Sequence, residues 1–334
     1  MRNPWIKRLE TSWGGNDASD RLAISSKRVL APFKQHLNNH YINNMLLNRV
    51  ITALVLAPLA VLGVLKLPES GFAVAWGVII LIAAWEWANL SEANGIKTRL
   101  FFLAALVASS VVAWYWPYLL EDLGERLEWH EISEFSGALD WLAVPAVIWW
   151  LFVMLAVRKT GDNLLKLKLK TGVKLFLGWF ILLLAWIFLV RLRNFYGSEL
   201  VLYFLLLIWL ADIAAYFAGR LFGKNKLAPH ISPAKTMEGM YGALLGAVVA
   251  AVAAGLYYEF KLIIIADFIL LSLVTVQVSI YGDLFESLAK RIRGVKDSGA
   301  ILPGHGGVLD RIDSLIAAIP VFYAGIILIR GQFG

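Results

Sequence analysis

Residues 262–291 read LIIIADFILLSLVTVQVSIYGDLFESLAKR. The portion 262–282 is long and apolar enough to cross a bilayer as a helix. If the helix continues past it, Asp283, Glu286, Ser287 and Lys290 fall at i, i+3, i+4 and i+7, on one face. Arg291 flanks that face. This stretch therefore predicts a membrane helix whose end carries paired acids and bases.

Similar apolar runs recur on both sides of it. With 262–282 they number nine: 49–66, 71–90, 100–120, 139–157, 173–191, 199–219, 240–258, 262–282 and 314–330. The expected fold is thus an all-α, polytopic membrane helix bundle of about nine transmembrane helices. Isolated strands are excluded, because they leave backbone groups unsatisfied in lipid. Of the 334 residues, 59% are hydrophobic and 16% charged, whereas soluble domains carry about 25% charged residues. There is no cysteine, which excludes disulfides, thiolate metal sites and a cysteine nucleophile.

The net charge of +7 reads as loop charge that sets topology, not as a nucleic-acid footprint. Lys and Arg concentrate between runs four and five (Arg158, Lys159, Lys166, Lys168, Lys170), after run six (Arg220, Lys224, Lys226, Lys235) and after run eight. The segment between runs three and four is acidic, from Glu121 to Asp140. These loops alternate correctly if the N-terminus is cytoplasmic and the C-terminus is outside. Residues 1–44 are polar and lack a signal-peptide core. They are expected to form a poorly ordered cytoplasmic extension, with Met45 a candidate start just before the first run. Residues 45–334 form the membrane-embedded domain.

The chemistry is expected in two polar segments. In 281–314, a Gly- and Pro-broken loop leads through His305-Gly306-Gly307 to Asp310-Arg311-Ile312-Asp313. Asp310 and Asp313, at i and i+3, can converge with Asp283 on one ion, and carboxylate oxygens suit Mg²⁺. Backbone N–H groups at glycines can approach a phosphate. Carboxylate-held Mg²⁺, cations and a glycine loop equip a protein for phosphoryl or nucleotidyl transfer. Singly, each residue has a plainer reading as a dipole complement or a topological charge. However, positions 283–313 hold ten charged residues, five of each sign, and topology alone does not require the acids.

The other segment is 212–239. Ser232-Pro233 predicts the N-cap and first residue of a helix. Lys235 and Thr236 would then lie in its first turn, where a lysine implies a bound anion. Asp212 is an intramembrane carboxylate and so a functional candidate, with Arg220 its alternative partner. Glu86 and Asp267 are costly in lipid and are expected to face the bundle interior or an interface. His230 reads as a loop residue. His305 is the better candidate for phosphate contact or proton transfer.

The pattern Ser287-x-x-Lys290-Arg291-x4-Lys296-Asp297-x-Gly299-x-x-Leu302-Pro303-x-His305-Gly306-Gly307-x-x-Asp310-Arg311-x-Asp313 resembles the signature of phosphatidate cytidylyltransferases (CDP-diacylglycerol synthases). Ser232-Pro233-x-Lys235-Thr236-x-Glu238-Gly239 and the opening run from Met45 to Leu62 are similar too, so the likeness covers about 45–334. It implies transfer of CMP from CTP to phosphatidate at the cytoplasmic face of the inner membrane, in phospholipid synthesis. It also implies Mg²⁺ dependence, with a second cation left open, and often a homodimer. By the same likeness, Asp283, Asp310 and Asp313 hold metal. Lys235, Lys290, Arg291, Lys296 and Arg311 bind phosphates, and Ser232, Thr236, Ser287 and His305-Gly306-Gly307 shape the pocket. The alternatives are a family member using another lipid phosphate and a non-catalytic anion-binding or transport protein. The DxxDGxxAR…GxxxDxxxD pattern of CDP-alcohol phosphatidyltransferases is absent from the sequence.

Overall fold

A computed structural model describes residues 54–302 and 306–329. The expectations for residues 1–44 and for His305 lie outside the described residues. The elements are α1 (Leu54–Lys66), α2 (Glu69–Leu90), α3 (Ile96–Arg126), a 3₁₀ segment (His130–Leu142) and α4 (Ala143–Leu164). There follow α5 (Thr171–Phe222), β1 (Lys226–Ala228), β2 (Ser232–Thr236), α6 (Met237–Tyr257), α7 (Leu262–Arg293) and α8 (Leu309–Ile329). Among the described residues, the architecture apart from the β1–β2 pair is helical, as the apolar runs require in lipid.

Among the described residues, 7 helices are long and apolar enough to cross a membrane. The sequence predicts nine crossings, and the difference arises in two places. The first run is described only from Leu54, as the shorter helix α1. Runs 173–191 and 199–219 both fall in α5, which is 52 residues long. A straight helix of that length would measure about 78 Å, more than twice a hydrocarbon core of about 30 Å. It is not straight: Gly197 sits at φ 84, ψ 175, a conformation open essentially to glycine alone.

The contacts of α5 show that the chain reverses at Gly197. Before the glycine, Phe188 stacks against Tyr323 of α8 with ring centroids 5.0 Å apart; after it, Phe204 meets Phe322 at 5.2 Å. The two halves of α5 therefore pass the same level of α8. Towards one end of the bundle, the Lys174 carbonyl accepts Trp87 Nε1–H of α2 at 2.8 Å, and Asp212 lines a cavity with Asp283 and Asp313. Towards the other end, Arg193 Nε donates to the Val64 carbonyl at 3.1 Å.

Small residues set how closely the helices approach. A Cβ on Gly242 would strike Ala218, and one on Gly246 would lie 3.1 Å from Ala214 Cβ. This small-residue face lets α6 lie directly on the second half of α5. Gly282 does the same between α7 and α8. A Cβ there would strike Ala317 and stand 3.1 Å from the Asp313 carbonyl oxygen. That close approach carries Asp283 to the side of Asp313.

Candidate active site

The ends of α5, α7 and α8 enclose a polar cavity of about 280 Å³, lined by Asp212, Asp283, Lys290, Asp297, Asp310, Arg311 and Asp313 among others. The three aspartates expected to converge, Asp283, Asp310 and Asp313, therefore face one space. The helical face predicted for α7 is present: Ser287 Oγ donates to Asp283 Oδ1 at 3.2 Å. α7 stops at Gly294, whose φ of 75 is left-handed, an ordinary glycine C-cap. Lys290, Arg291 and Arg293 lie in the last turn, where cations complement the helix dipole.

Each aspartate already has partners. Lys235 Nζ lies 2.5 Å from Asp283 Oδ2. Lys290 Nζ lies 2.6 Å from both Glu286 Oε2 and Asp310 Oδ1. Asp310 Oδ2 also accepts the N–H groups of Ser298 and Gly307, at 3.0 and 2.8 Å. Asp313 Oδ1 accepts from Ser314 N at 2.7 Å. Asp212 is close enough to Lys235, Asp283 and Arg311 to feel their charges.

Among the described residues, no group of three or more acidic or histidine side chains stands ready as a metal cage. The donor chemistry nevertheless fits a hard divalent ion, and it fits unevenly. Asp313 accepts from Ser314 N–H on one oxygen, and Asp283 has one donor on each oxygen, Ser287 Oγ and Lys235 Nζ. Asp310 has both oxygens engaged by Lys290 and two backbone N–H groups.

The second predicted segment differs from expectation. Ser232, Pro233, Lys235 and Thr236 form strand β2, not a helix start; Lys226 pairs with Thr236 and Ala228 with Ser232. Helix α6 begins at Met237, capped by Thr236, whose Oγ1 accepts Gly239 N–H at 3.1 Å. Pairing with β1 satisfies the backbone that the expected helix turn would have satisfied. It also lets Thr236 rather than Ser232 serve as cap. The anion argument built on a lysine in the first turn therefore falls. Lys235 instead reaches across to α7, bonding Asp283 and the Ile280 carbonyl, the latter at 3.3 Å.

Other expected residues lie at the rim. Arg291 is exposed and does not line the cavity; its Nε donates to the Ile231 carbonyl at 3.2 Å and so ties the β1–β2 hairpin to α7. Lys296 is exposed beside Asp297. Gly306, at φ 84, and Gly307 were expected to approach a phosphate. Their surroundings are instead the protein's own carboxylates: Asp310 and Asp297 crowd Gly306, and Ser298 and Glu86 crowd Gly307. Arg220 donates to Tyr216 Oη at 2.8 Å, which leaves Asp212 to the cavity.

Two acids outside the predicted site matter here. Glu286, 2% exposed, is paired with Lys290 at 2.6 Å; its place on the α7 face was visible, its burial was not. Glu86, also 2% exposed, accepts Leu309 N–H at 2.7 Å, Val308 N–H at 3.1 Å and Ser298 Oγ–H at 3.2 Å. A carboxylate inside an apolar run was the signal for it. Nearby, Lys174 bonds Glu92 at 2.7 Å, and that hydrogen bond and charge hold the Glu92 carboxyl below its ordinary range.

Comparison with known proteins gives one family match, the model described as "Cytidylyltransferase family", over residues 47–329. The phosphatidate cytidylyltransferase of Pseudomonas aeruginosa is 41% identical over 287 residues, covering 84% of this chain and 96% of that protein. The protein of the same name from Haemophilus influenzae is 36% identical over 292 residues, covering 83% and 97%. The one from Bacillus subtilis is 43% identical over 141 residues, 41% of this chain and 51% of that protein.

Proposed function

The chain belongs to the cytidylyltransferase family, and from that premise we infer that it is a phosphatidate cytidylyltransferase, which transfers CMP from CTP to phosphatidate and releases pyrophosphate. A phosphate oxygen of phosphatidate forms a bond to the α-phosphorus of CTP. The bond from that phosphorus to the α–β bridging oxygen breaks, and pyrophosphate leaves. No proton need move, because the attacking phosphate is already ionised near neutral pH.

The observation that carries this reading is the single cavity that collects Asp283, Asp310, Asp313, Lys290 and Arg311 at the ends of α5, α7 and α8. Two polyanionic substrates repel one another, so the site's work is to neutralise charge and align phosphates. Lys290, Arg311 and Lys235 are the cations placed to do so. Arg291 acts from outside, by holding the hairpin that carries Lys235. Ser232, Thr236, Ser287, Lys296 and the Gly306-Gly307 turn border this region in our reading, and His305 is assigned phosphate contact on the family resemblance alone. Asp283, Asp310 and Asp313 would hold Mg²⁺, with Lys235 and Lys290 giving way at Asp283 and Asp310. Bound there, the ion would supply charge neutralisation at the reacting phosphates.

The same reading gives nine membrane crossings, with the N-terminus on the side of the site. The reversal at Gly197 and the far-end position of Val64 support that count. It puts the site at the cytoplasmic face of the cell membrane. The Lys- and Arg-rich connections 158–170 and 220–235 join helix ends on the side of the cavity, and the acidic 121–140 stretch lies on the other side. At that depth phosphatidate keeps its acyl chains in the leaflet while its head group enters the cavity. A homodimer is supported by the family resemblance.

The test is pyrophosphate release by the purified protein from CTP, with Mg²⁺, with and without phosphatidate, beside a panel of other lipid phosphates. Release that requires phosphatidate is the expected result. Release with a different lipid phosphate alone would reassign the substrate, and no release with any would refute the enzymatic reading.

A further inference from the structure

Glu86 lies on α2, an element that contributes nothing to the wall of the cavity, and it is buried in the interior of the protein. A buried carboxylate is costly unless its oxygens are fully hydrogen-bonded or paired. Among the described residues its partners are three donors, all from one short stretch of chain: Ser298 Oγ, Val308 N and Leu309 N. Leu309 opens α8, so the carboxylate sits at a helix N-terminus, where the dipole favours negative charge.

Donors in that stretch are divided between two acids. Ser298 sends its backbone N–H to Asp310 at 3.0 Å and its hydroxyl to Glu86 at 3.2 Å. Gly307 N–H goes to Asp310 at 2.8 Å, while the next two amides go to Glu86. Gly299 and Gly307 fit only because they lack a Cβ; one on Gly307 would strike Ser298 Oγ and one on Gly299 would strike Glu86 Oε1. Ser298 and the 307–309 amides therefore meet the Glu86 carboxylate on one side and Asp310 on the other. Asp310 in turn holds Lys290 at 2.6 Å.

We propose that Glu86 is a positioning residue for this reaction: it fixes Ser298 and the amides that lead into α8, and through them the orientation of Asp310 and Lys290 at the cavity. The proposal rests on the reading of that cavity as the reacting site. Glu86 itself touches neither substrate. Its effect is transmitted by Ser298, which donates to both acids, and by the Gly307–Leu309 run of amides, which is divided between them. Glutamine at 86 keeps the shape but removes the charge and replaces one acceptor oxygen with a donor, which would face amides that are themselves donors.

The test compares native protein with Glu86→Gln, Glu86→Asp and Ser298→Ala in detergent. It measures kcat and KM for CTP, thermal unfolding, and hydrogen exchange of the 307–309 amides. Glu86→Gln should lower kcat by about tenfold to a hundredfold, with KM for CTP changed far less. The 307–309 amides should exchange faster while the rest of α7 and α8 keeps its protection. Glu86→Asp, with both oxygens retained, should recover part of the loss. If Glu86→Gln does not fold, Ser298→Ala carries the test through the same two readouts. Native kcat per folded molecule in Glu86→Gln, or in Ser298→Ala where that variant stands in, would overturn the proposal. So would a loss matched by loosening throughout the bundle. Because hydrogen exchange needs no substrate, localised loosening in Glu86→Gln, found where even the native protein turns over no CTP, would separate failure of the functional reading from failure of this one.

Discussion

Lys235 of β2 and Asp283 of α7 form a 2.5 Å ion pair across 48 positions of sequence. It joins the hairpin that follows α5 to the helix that carries the first acid of the site. Both side chains are partly shielded, with 25% and 31% exposure, so the pair is neither a free surface contact nor a fully desolvated one. Asp283→Asn and Lys235→Met are each expected to lower turnover by orders of magnitude while the protein still inserts. Because the two groups touch, their effects should not add. A double mutant as impaired as the product of the single losses would show that they act separately.

The aspartates should differ in their dependence on Mg²⁺. Asp313→Asn and Asp283→Asn should raise the Mg²⁺ concentration needed for half-maximal rate more than Asp310→Asn does. Where Asp283 has Lys235 and Ser287 and Asp313 has Ser314 N–H, Asp310 is the most heavily engaged of the three, by Lys290, Ser298 and Gly307. Its replacement should also cost stability, about 1.5–3 kcal/mol for losing a charged hydrogen-bond acceptor. Mg²⁺ titration of each variant, with thermal unfolding alongside, checks this. Chelation of divalent ions should abolish turnover of the native protein, and added Mg²⁺ should restore it.

Gly282 governs the approach of α7 to α8. Gly282→Val would press its side chain on Ala317 and on the Asp313 carbonyl oxygen, 3.1 Å from the new Cβ. Overpacking of this kind costs about 1–3 kcal/mol, and here it also separates Asp283 from Asp313. The variant should melt earlier and lose turnover even below its melting temperature. Native turnover at low temperature would mean that the spacing of the two helices is not critical.

The absence of cysteine makes the orientation directly testable. A single cysteine at Lys168, in the connection before α5, should be labelled by a membrane-impermeant maleimide only after cells are opened. One at Glu125, near the end of α3, should be labelled in intact cells. The opposite pattern would place the site on the outer face.

Much of this protein is legible in local sequence, because the signals involved are themselves local. Apolar runs select lipid-embedded helices whatever their neighbours are. The i, i+3, i+4, i+7 spacing alone puts Asp283, Ser287 and Lys290 on one side of α7, and i, i+3 spacing brings Asp310 and Asp313 together. The strand at Ser232–Thr236 shows where local reading fails. Ser-Pro is a sound helix start in isolation, and only pairing with Lys226–Ala228 overrules it. Asp212, Glu286 and Glu86 could be noticed as charges in or beside apolar runs, but their partners could not be named. Glu86 meets Leu309 across 223 positions, and no periodicity encodes a contact of that range. The sequence by itself settled that the chain lives in a membrane and which acids and bases end its helices. Tertiary packing decided which carboxylate holds which loop, because close approach at glycines such as Gly282 and Gly307 determines what each buried charge can reach.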